Sequence, residues 1–236
     1  MNSPHTAKNV CERLIIALDF PDAGDALKCA QALQGEISFF KIGLQLYTAA
    51  GPEIVRAITG TGAKVFLDLK LHDIPSTVGK AVAAASELGV TMLTLHLSGG
   101  RKMIQAAVAA APPELNLLGV TVLTSADETM LWETGVNRSV AEQTLRLAEL
   151  GADAGMRGLV SSPQEVKELR ARVGAAMKVV TPGIRPEWAA ADDQKRFTTP
   201  RQALELGADF LVIGRPVTAQ ADPREAVRKI LAEFDA

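Results

Sequence analysis

In the stretch VFLDLKLHDIPSTVGK, Val65 to Lys80, an apolar run ends and Asp68, Lys70, His72 and Asp73 follow within six positions. Side chains alternate faces along a strand, so Asp68 and Lys70 are expected on the same side. An ammonium beside a carboxylate, with a second carboxylate at Asp73, can stabilise developing charge and deliver a proton. Asp19 and Lys41 also stand directly behind apolar runs, LIIAL and SFF. A charge in that setting is costly unless it is paired. Structural salt bridges would satisfy any one of these residues. Four charges converging on one mouth instead suit a functional site, because such clusters concentrate in clefts that do chemistry.

A second pattern suits an anion. In FLVIGRPVT, Gly214 lets the backbone approach closely, and Arg215 beside it can donate in a fork. The stretch TPGIRPEWAAADDQKRF, about 17 residues, carries Arg185 and Gln194 and exceeds the usual connection length. Taken alone, it has a solvated surface loop as the lesser alternative. Opposite Gly214 and Arg215, it suits a phosphate clamp under a closing lid.

These residues need a scaffold that gathers strand ends. Eight short strand-like runs occur: 14–20, 38–43, 63–70, 90–96, 115–124, 156–162, 177–184 and 208–216. A run with helical spacing follows each one. Ser76 is a plausible N-cap for the helix after the third strand, and Pro163 suits a first helical turn. Repeated βα units imply parallel strands with helical crossovers, and eight of them predict an α/β fold, a closed (β/α)₈ TIM barrel. An open doubly wound sheet would carry a glycine-rich turn after its first strand, where this chain has Asp19-Phe20-Pro21-Asp22. No linker or low-complexity tract divides the chain, so residues 1–236 read as one barrel domain with residues 1–12 as an N-terminal extension.

Such barrels place their sites at the C-terminal strand ends. Those ends carry Asp19, Lys41, Asp68 with Lys70, His96, Thr124, Ser161, Gly183 and Gly214-Arg215. The strand beginnings, Leu14, Ser38, Lys64, Thr91, Asn116, Lys178 and Asp209, read as ordinary.

Composition narrows the function class. With 25 Lys and Arg against 27 Asp and Glu there is no basic block, which argues against nucleic-acid and membrane-surface partners. No run reaches the apolar length of a membrane span, and the first residues lack a signal-peptide core. Cys11 and Cys29 have no metal-type spacing and read as reduced thiols of a cytoplasmic protein.

DLKLHDIPST resembles the signature of the orotidine 5'-phosphate decarboxylase family. ALDF at 17–20, KIG at 41–43, VTVLTS at 120–125, TPGIRP at 181–186, DQKR at 193–196 and VIGRPVT at 212–218 follow in the order of the bacterial form. Asp-x-Lys-x-x-Asp alone is shared with sister decarboxylases and aldolases of sugar phosphates; the longer motifs are more specific.

The resemblance implies a homodimeric carboxy-lyase that converts orotidine 5'-phosphate to UMP without metal or organic cofactor. It implies a charged tetrad of Lys41, Asp68, Lys70 and Asp73, with Lys70 protonating C6 of the pyrimidine. Asp68 would face the substrate carboxylate, and Lys41 and Asp19 the ribose hydroxyls. The segment Asp68, Leu69, Lys70, Leu71, His72, Asp73, Ile74, Pro75, Ser76 and Thr77 would line the nucleotide site. Asp73 and Thr77 would complete the neighbouring subunit's site. Thr124, with Ser125 beside it, would lie by the pyrimidine, and Arg185, Gln194, Gly214 and Arg215 would hold the phosphate. His72 and His96 match no catalytic role. Arg157 stands where the family more often has a small or acidic residue, at the end of the barrel away from the site. The alternatives are a Mg²⁺-dependent sugar-phosphate decarboxylase or aldolase of the same superfamily, or a non-catalytic phosphate-binding barrel.

Overall fold

The apolar runs become eight parallel strands: β1 (Leu14–Ala17), β2 (Phe39–Gly43), β3 (Lys64–Leu71), β4 (Met92–His96), β5 (Asn116–Val120), β6 (Gly158–Val160), β7 (Lys178–Thr181) and β8 (Phe210–Ile213). Each pairs with its sequence neighbours, and β1 pairs with β8 through Leu14 and Leu211, closing the barrel. The computed structural model describes residues 6–189 and 198–234.

Helices separate the strands: α1 (Ala7–Cys11), α2 (Ala23–Ala32), α3 (Leu44–Thr59), α4 (Pro75–Ser86), α5 (Gly100–Ala110), α6 (Glu128–Glu133), α7 (Val140–Asp153), α8 (Val166–Val173), α9 (Pro200–Glu205), α10 (Arg215–Thr218) and α11 (Pro223–Ala232). Reciprocal capping boxes start two of them, Ser139 with Glu142 on α7 and Thr199 with Gln202 on α9. Pro163 opens a short 3₁₀ turn ahead of α8. In the N-terminal extension, α1 is capped by Thr6 and buries Val10 in the main core.

Two apolar layers follow from the strand alternation. One face of each strand packs outward against the helices, in a cluster that includes Ile16, Ile42, Leu67 and Leu93. The other face fills the barrel with Ile15, Phe39, Phe66, Met92, Leu118 and Val212. Two residues further along those inner faces come Ala17, Lys41, Asp68, Thr94 and Val120, so the charges sit directly on top of a dry plug.

Several local expectations are corrected. Ser76 does not cap α4: the cap position is Ile74, because Pro75 fits the first helical position and starts the helix two residues sooner. α3 is broken at Gly51, which takes φ 64° ahead of Pro52, a residue that disfavours helical backbone before it. β1, β5, β6, β7 and β8 stop short of the runs that announce them; β5 ends at Val120, four residues before Thr124. Helices α6 and α10 carry no strong periodic signal and were not anticipated.

Asp209 is not an ordinary strand beginning. Its carboxylate pairs with Arg170, lies 3.8 Å from Lys178 Nζ and accepts the Val179 N–H at 2.8 Å. The Asp209 backbone carbonyl accepts from Arg13 Nε at 2.7 Å. This lattice ties β7 and β8 to α8 at the end opposite the charged mouth. Arg157 is exposed at that same end, where its carbonyl accepts from the Lys178 N–H.

Candidate active site

The site begins with an irregularity in β3. Leu67 aligns with Leu93 of β4, but Leu71 aligns with Leu95, so four residues of β3 span two of β4. Lys70 absorbs the slip with φ 51°, the one positive φ among described residues other than glycine. Left-handed backbone at a residue with a side chain costs about 1–3 kcal/mol and persists only where its surroundings hold it.

Two contacts hold it here. The Lys70 N–H donates to Thr94 Oγ1 at 2.8 Å, and Lys70 Nζ donates to Asp68 Oδ2 at 2.8 Å. Thr94 Oγ1 also lies 2.9 Å from Asp68 Oδ1.

The charges alternate across the mouth. Lys41 Nζ is 2.8 Å from Asp19 Oδ1 and 3.9 Å from Asp68 Oδ2, so the row runs Asp19, Lys41, Asp68, Lys70. Side-chain exposure is 54% for Asp19, 11% for Lys41, 14% for Asp68 and 28% for Lys70, so the middle of the row is the most desolvated. Gly43 makes room for this packing. A Cβ there would lie 2.8 Å from Lys41 Nζ and 3.2 Å from Asp19 Oδ1.

A cavity of about 290 Å³ opens above the row. Asp19, Lys41, Asp68 and Lys70 line one side; Thr124, Ser161, Gly183 and Gly214 line the other, and Phe66 and Val212 belong to its apolar part. Ser161 Oγ donates to Glu165 Oε2 at 3.2 Å, and burial lifts the Glu165 carboxyl above its usual range despite that bond. His96 stands behind the mouth with its ring 5.6 Å from that of His72. Burial, then the neighbouring His72 and Lys70, hold its imidazole below the ordinary histidine range, against a smaller pull from Asp68.

The expected residues therefore divide. Asp19, Lys41, Asp68, Lys70, Thr124 and Gly214 are brought together around one space. Leu69 and Leu71 turn the other way and pack against the helix-facing core. His72, Asp73, Ile74, Pro75, Ser76 and Thr77 are exposed on the shoulder beside the mouth, where Asp73 Oδ1 accepts the Ile74 N–H at 2.6 Å. Arg215 is exposed next to Gly214, and Arg185 is half-buried, its N–H donating to the Thr198 carbonyl at 3.1 Å. Gln194 lies outside the described residues, as does the rest of the DQKR motif. Reading only the strand ends missed Thr94. A hydroxyl in the apolar run MLTL, on the inward side with Met92, is the signal that marks it.

Comparisons with known proteins identify the relatives of this chain. The profile of the orotidine 5'-phosphate decarboxylase / HUMPS family matches residues 12–230. A curated relative named orotidine 5'-phosphate decarboxylase from Opitutus terrae is 52% identical over 224 residues, covering 94% of this chain and 97% of the relative. One of the same name from Paramagnetospirillum magneticum is 48% identical over 227 residues, covering 93% and 97%. The crystal structure of orotidine 5'-phosphate decarboxylase from Lactobacillus acidophilus superposes with a TM-score of 0.83 at 37% identity, covering 95% of this chain and all of that one. With the family profile, the curated relatives and the barrel fold in agreement over nearly the full length, the chain belongs to the orotidine 5'-phosphate decarboxylase / HUMPS family.

Proposed function

We propose that this protein decarboxylates orotidine 5'-phosphate to UMP, the closing step of de novo pyrimidine synthesis, with no metal or organic cofactor. The observation that carries the reading is the alternating row in which Lys70 Nζ stands 2.8 Å from Asp68 inside the cavity. Breaking the bond between C6 and the carboxylate leaves an electron pair on a carbon that cannot delocalise it. A fixed ammonium stabilises that pair as it forms, and Lys70 Nζ then passes one of its protons to C6 as CO₂ departs. Asp68, held by Lys70, Lys41 and Thr94, faces the leaving carboxylate and disfavours the bound ground state. Lys41 and Asp19 take the ribose hydroxyls, and Thr124 takes the pyrimidine edge.

Gly214, Arg215, Arg185 and Gln194 make up the proposed phosphate clamp, whose binding energy draws the substrate into the charged pocket. Arg215→Ala should raise KM about 10- to 100-fold, the worth of charge-assisted hydrogen bonds, and change kcat far less. Steady-state kinetics read this directly, and an unaltered kcat/KM would remove Arg215 from the clamp.

Gly43→Ala tests the packing under the ribose site. The atoms that a Cβ would meet are the movable ends of Lys41 and Asp19, so the barrel folds while the ammonium shifts. The expected result is a loss of about 10- to 100-fold in kcat/KM with little change in Tm. Full activity in this variant would mean that Lys41 tolerates displacement.

We further propose a homodimer in which Asp73 and Thr77 enter the partner's site. Ile74 between them is 64% exposed, and Leu44 54%, apolar surface that a second copy would cover. Among the described residues no helix is long and apolar enough to cross a membrane. The free thiols Cys11 and Cys29 suit a reducing cytoplasm.

The deciding experiment follows the ultraviolet spectrum of orotidine 5'-phosphate with and without EDTA. Conversion to UMP that survives the chelator supports the reading. Activity that EDTA removes points to the Mg²⁺-dependent sister enzymes, and binding without conversion points to a phosphate-ligand carrier.

A further inference from the structure

We infer that Thr94 is a positioning residue for decarboxylation, acting through Asp68 and Lys70; this rests on the reaction proposed above. The side chain is fully buried on β4 and faces the barrel interior beneath the cavity. Its hydroxyl has one proton to give. Oγ1 accepts the Lys70 N–H at 2.8 Å, so its own O–H is the donor to Asp68 Oδ1 at 2.9 Å. The other carboxylate oxygen, Oδ2, takes Lys70 Nζ at 2.8 Å.

Each oxygen of Asp68 is thereby held by a different group, which fixes both the position and the plane of the carboxylate. The same hydroxyl serves the backbone. At the slip between β3 and β4 the Lys70 N–H finds a side-chain oxygen in place of a ladder carbonyl. That bond supports the left-handed φ of 51° from which the Lys70 side chain departs. Three groups that must face one carbon, the Lys70 ammonium, the Asp68 carboxylate and the strand that bears both, are referred to a single buried oxygen. Thr94 is separated from the substrate space by the residues it orients and is absent from the cavity lining.

Two substitutions split volume from hydroxyl. Thr94→Val keeps the shape of the side chain and removes the oxygen. Thr94→Ser keeps the oxygen and removes a methyl group. Measured together should be kcat at saturating orotidine 5'-phosphate, the dissociation constant of UMP and Tm. With a positioning role, Thr94→Val loses about 100-fold in kcat, as displacements near 1 Å do, while UMP affinity holds. Thr94→Ser stays near the parent even where its Tm drops.

A core-filling role gives the reverse order, with activity following stability. The inference is overturned if Thr94→Val turns over like the parent, or if Thr94→Ser falls as far as Thr94→Val. Should the valine protein not fold, Thr94→Cys replaces it, because cysteine keeps the unbranched shape of serine but its thiol donates and accepts weakly. Cysteine falling while serine holds supports the role, and equal activity in both refutes it. A parent enzyme that fails to convert orotidine 5'-phosphate at all would refute the reaction itself, an outcome visible before any variant is made.

Discussion

Replacing Lys70 by alanine should lower the turnover of orotidine 5'-phosphate by about 10⁴-fold or more while UMP continues to bind. The size of the loss comes from two roles held by one group. Proton delivery by a placed acid contributes about 10²–10⁴-fold, and stabilisation of the developing charge in a dry site adds to it. Product binding is spared because UMP carries no charge at C6, and its phosphate is to be held at the far side of the cavity. The plain alternative is that Lys70 and Asp68 form only a structural pair, 2.8 Å apart at the top of β3. In that case alanine would lower Tm and leave turnover nearly intact. Stopped or steady-state assays beside a UMP titration distinguish the two, and near-normal turnover would end the assignment of Lys70 as the proton donor.

The barrel was legible because its signal is global. Eight alternations of apolar run and helical spacing need no single boundary to be right: seven observed strands fall inside their runs, and β3 passes its run by one residue, Leu71. Boundaries were less legible, since the sequence cannot say where a ladder stops. The apolar residues of VTVLT continue past Val120, yet the chain leaves the sheet there and carries Thr124 over the cavity. Local rules also compete. Ser76 is a good cap by type, but Pro75 ahead of it is a better first helical residue, and the proline prevails.

In the site, period-two spacing correctly placed Asp68 and Lys70 together, although the local geometry is not a regular strand. The slip opposite Leu93 and Leu95 and the left-handed Lys70 are tertiary features, in which the Lys70 N–H meets Thr94 of the next strand. No pattern confined to residues 65–80 encodes them. Asp209 shows the converse. A charge at a strand start looked unremarkable until folding brought Arg13, Arg170 and Lys178 to it from three distant segments. A lone carboxylate in sequence has no sign of how many cations will surround it.

The shoulder of the site tests whether one chain suffices. Within a single chain the alternating row is Asp19, Lys41, Asp68 and Lys70, while Asp73 is exposed beside it with its carboxylate turned to the Ile74 N–H. If Asp73 instead serves a second copy, Lys70→Ala and Asp73→Ala proteins are each inactive alone but complement each other. In a mixed dimer the Lys70→Ala subunit lends an intact Asp73 to the partner, whose Lys70 is intact, so one of the two sites is whole. Random exchange makes half of the dimers mixed, and about a quarter of the parental activity should return at the midpoint of a titration of one protein into the other. Activity should follow that mixing ratio and vanish when either chain is omitted. If each chain builds its own site, every site carries one lesion whatever the mixture, and no activity returns. A control with Lys70→Ala and Asp68→Ala, both proposed to act within the same subunit, should stay inactive and excludes mere stabilisation by exchange.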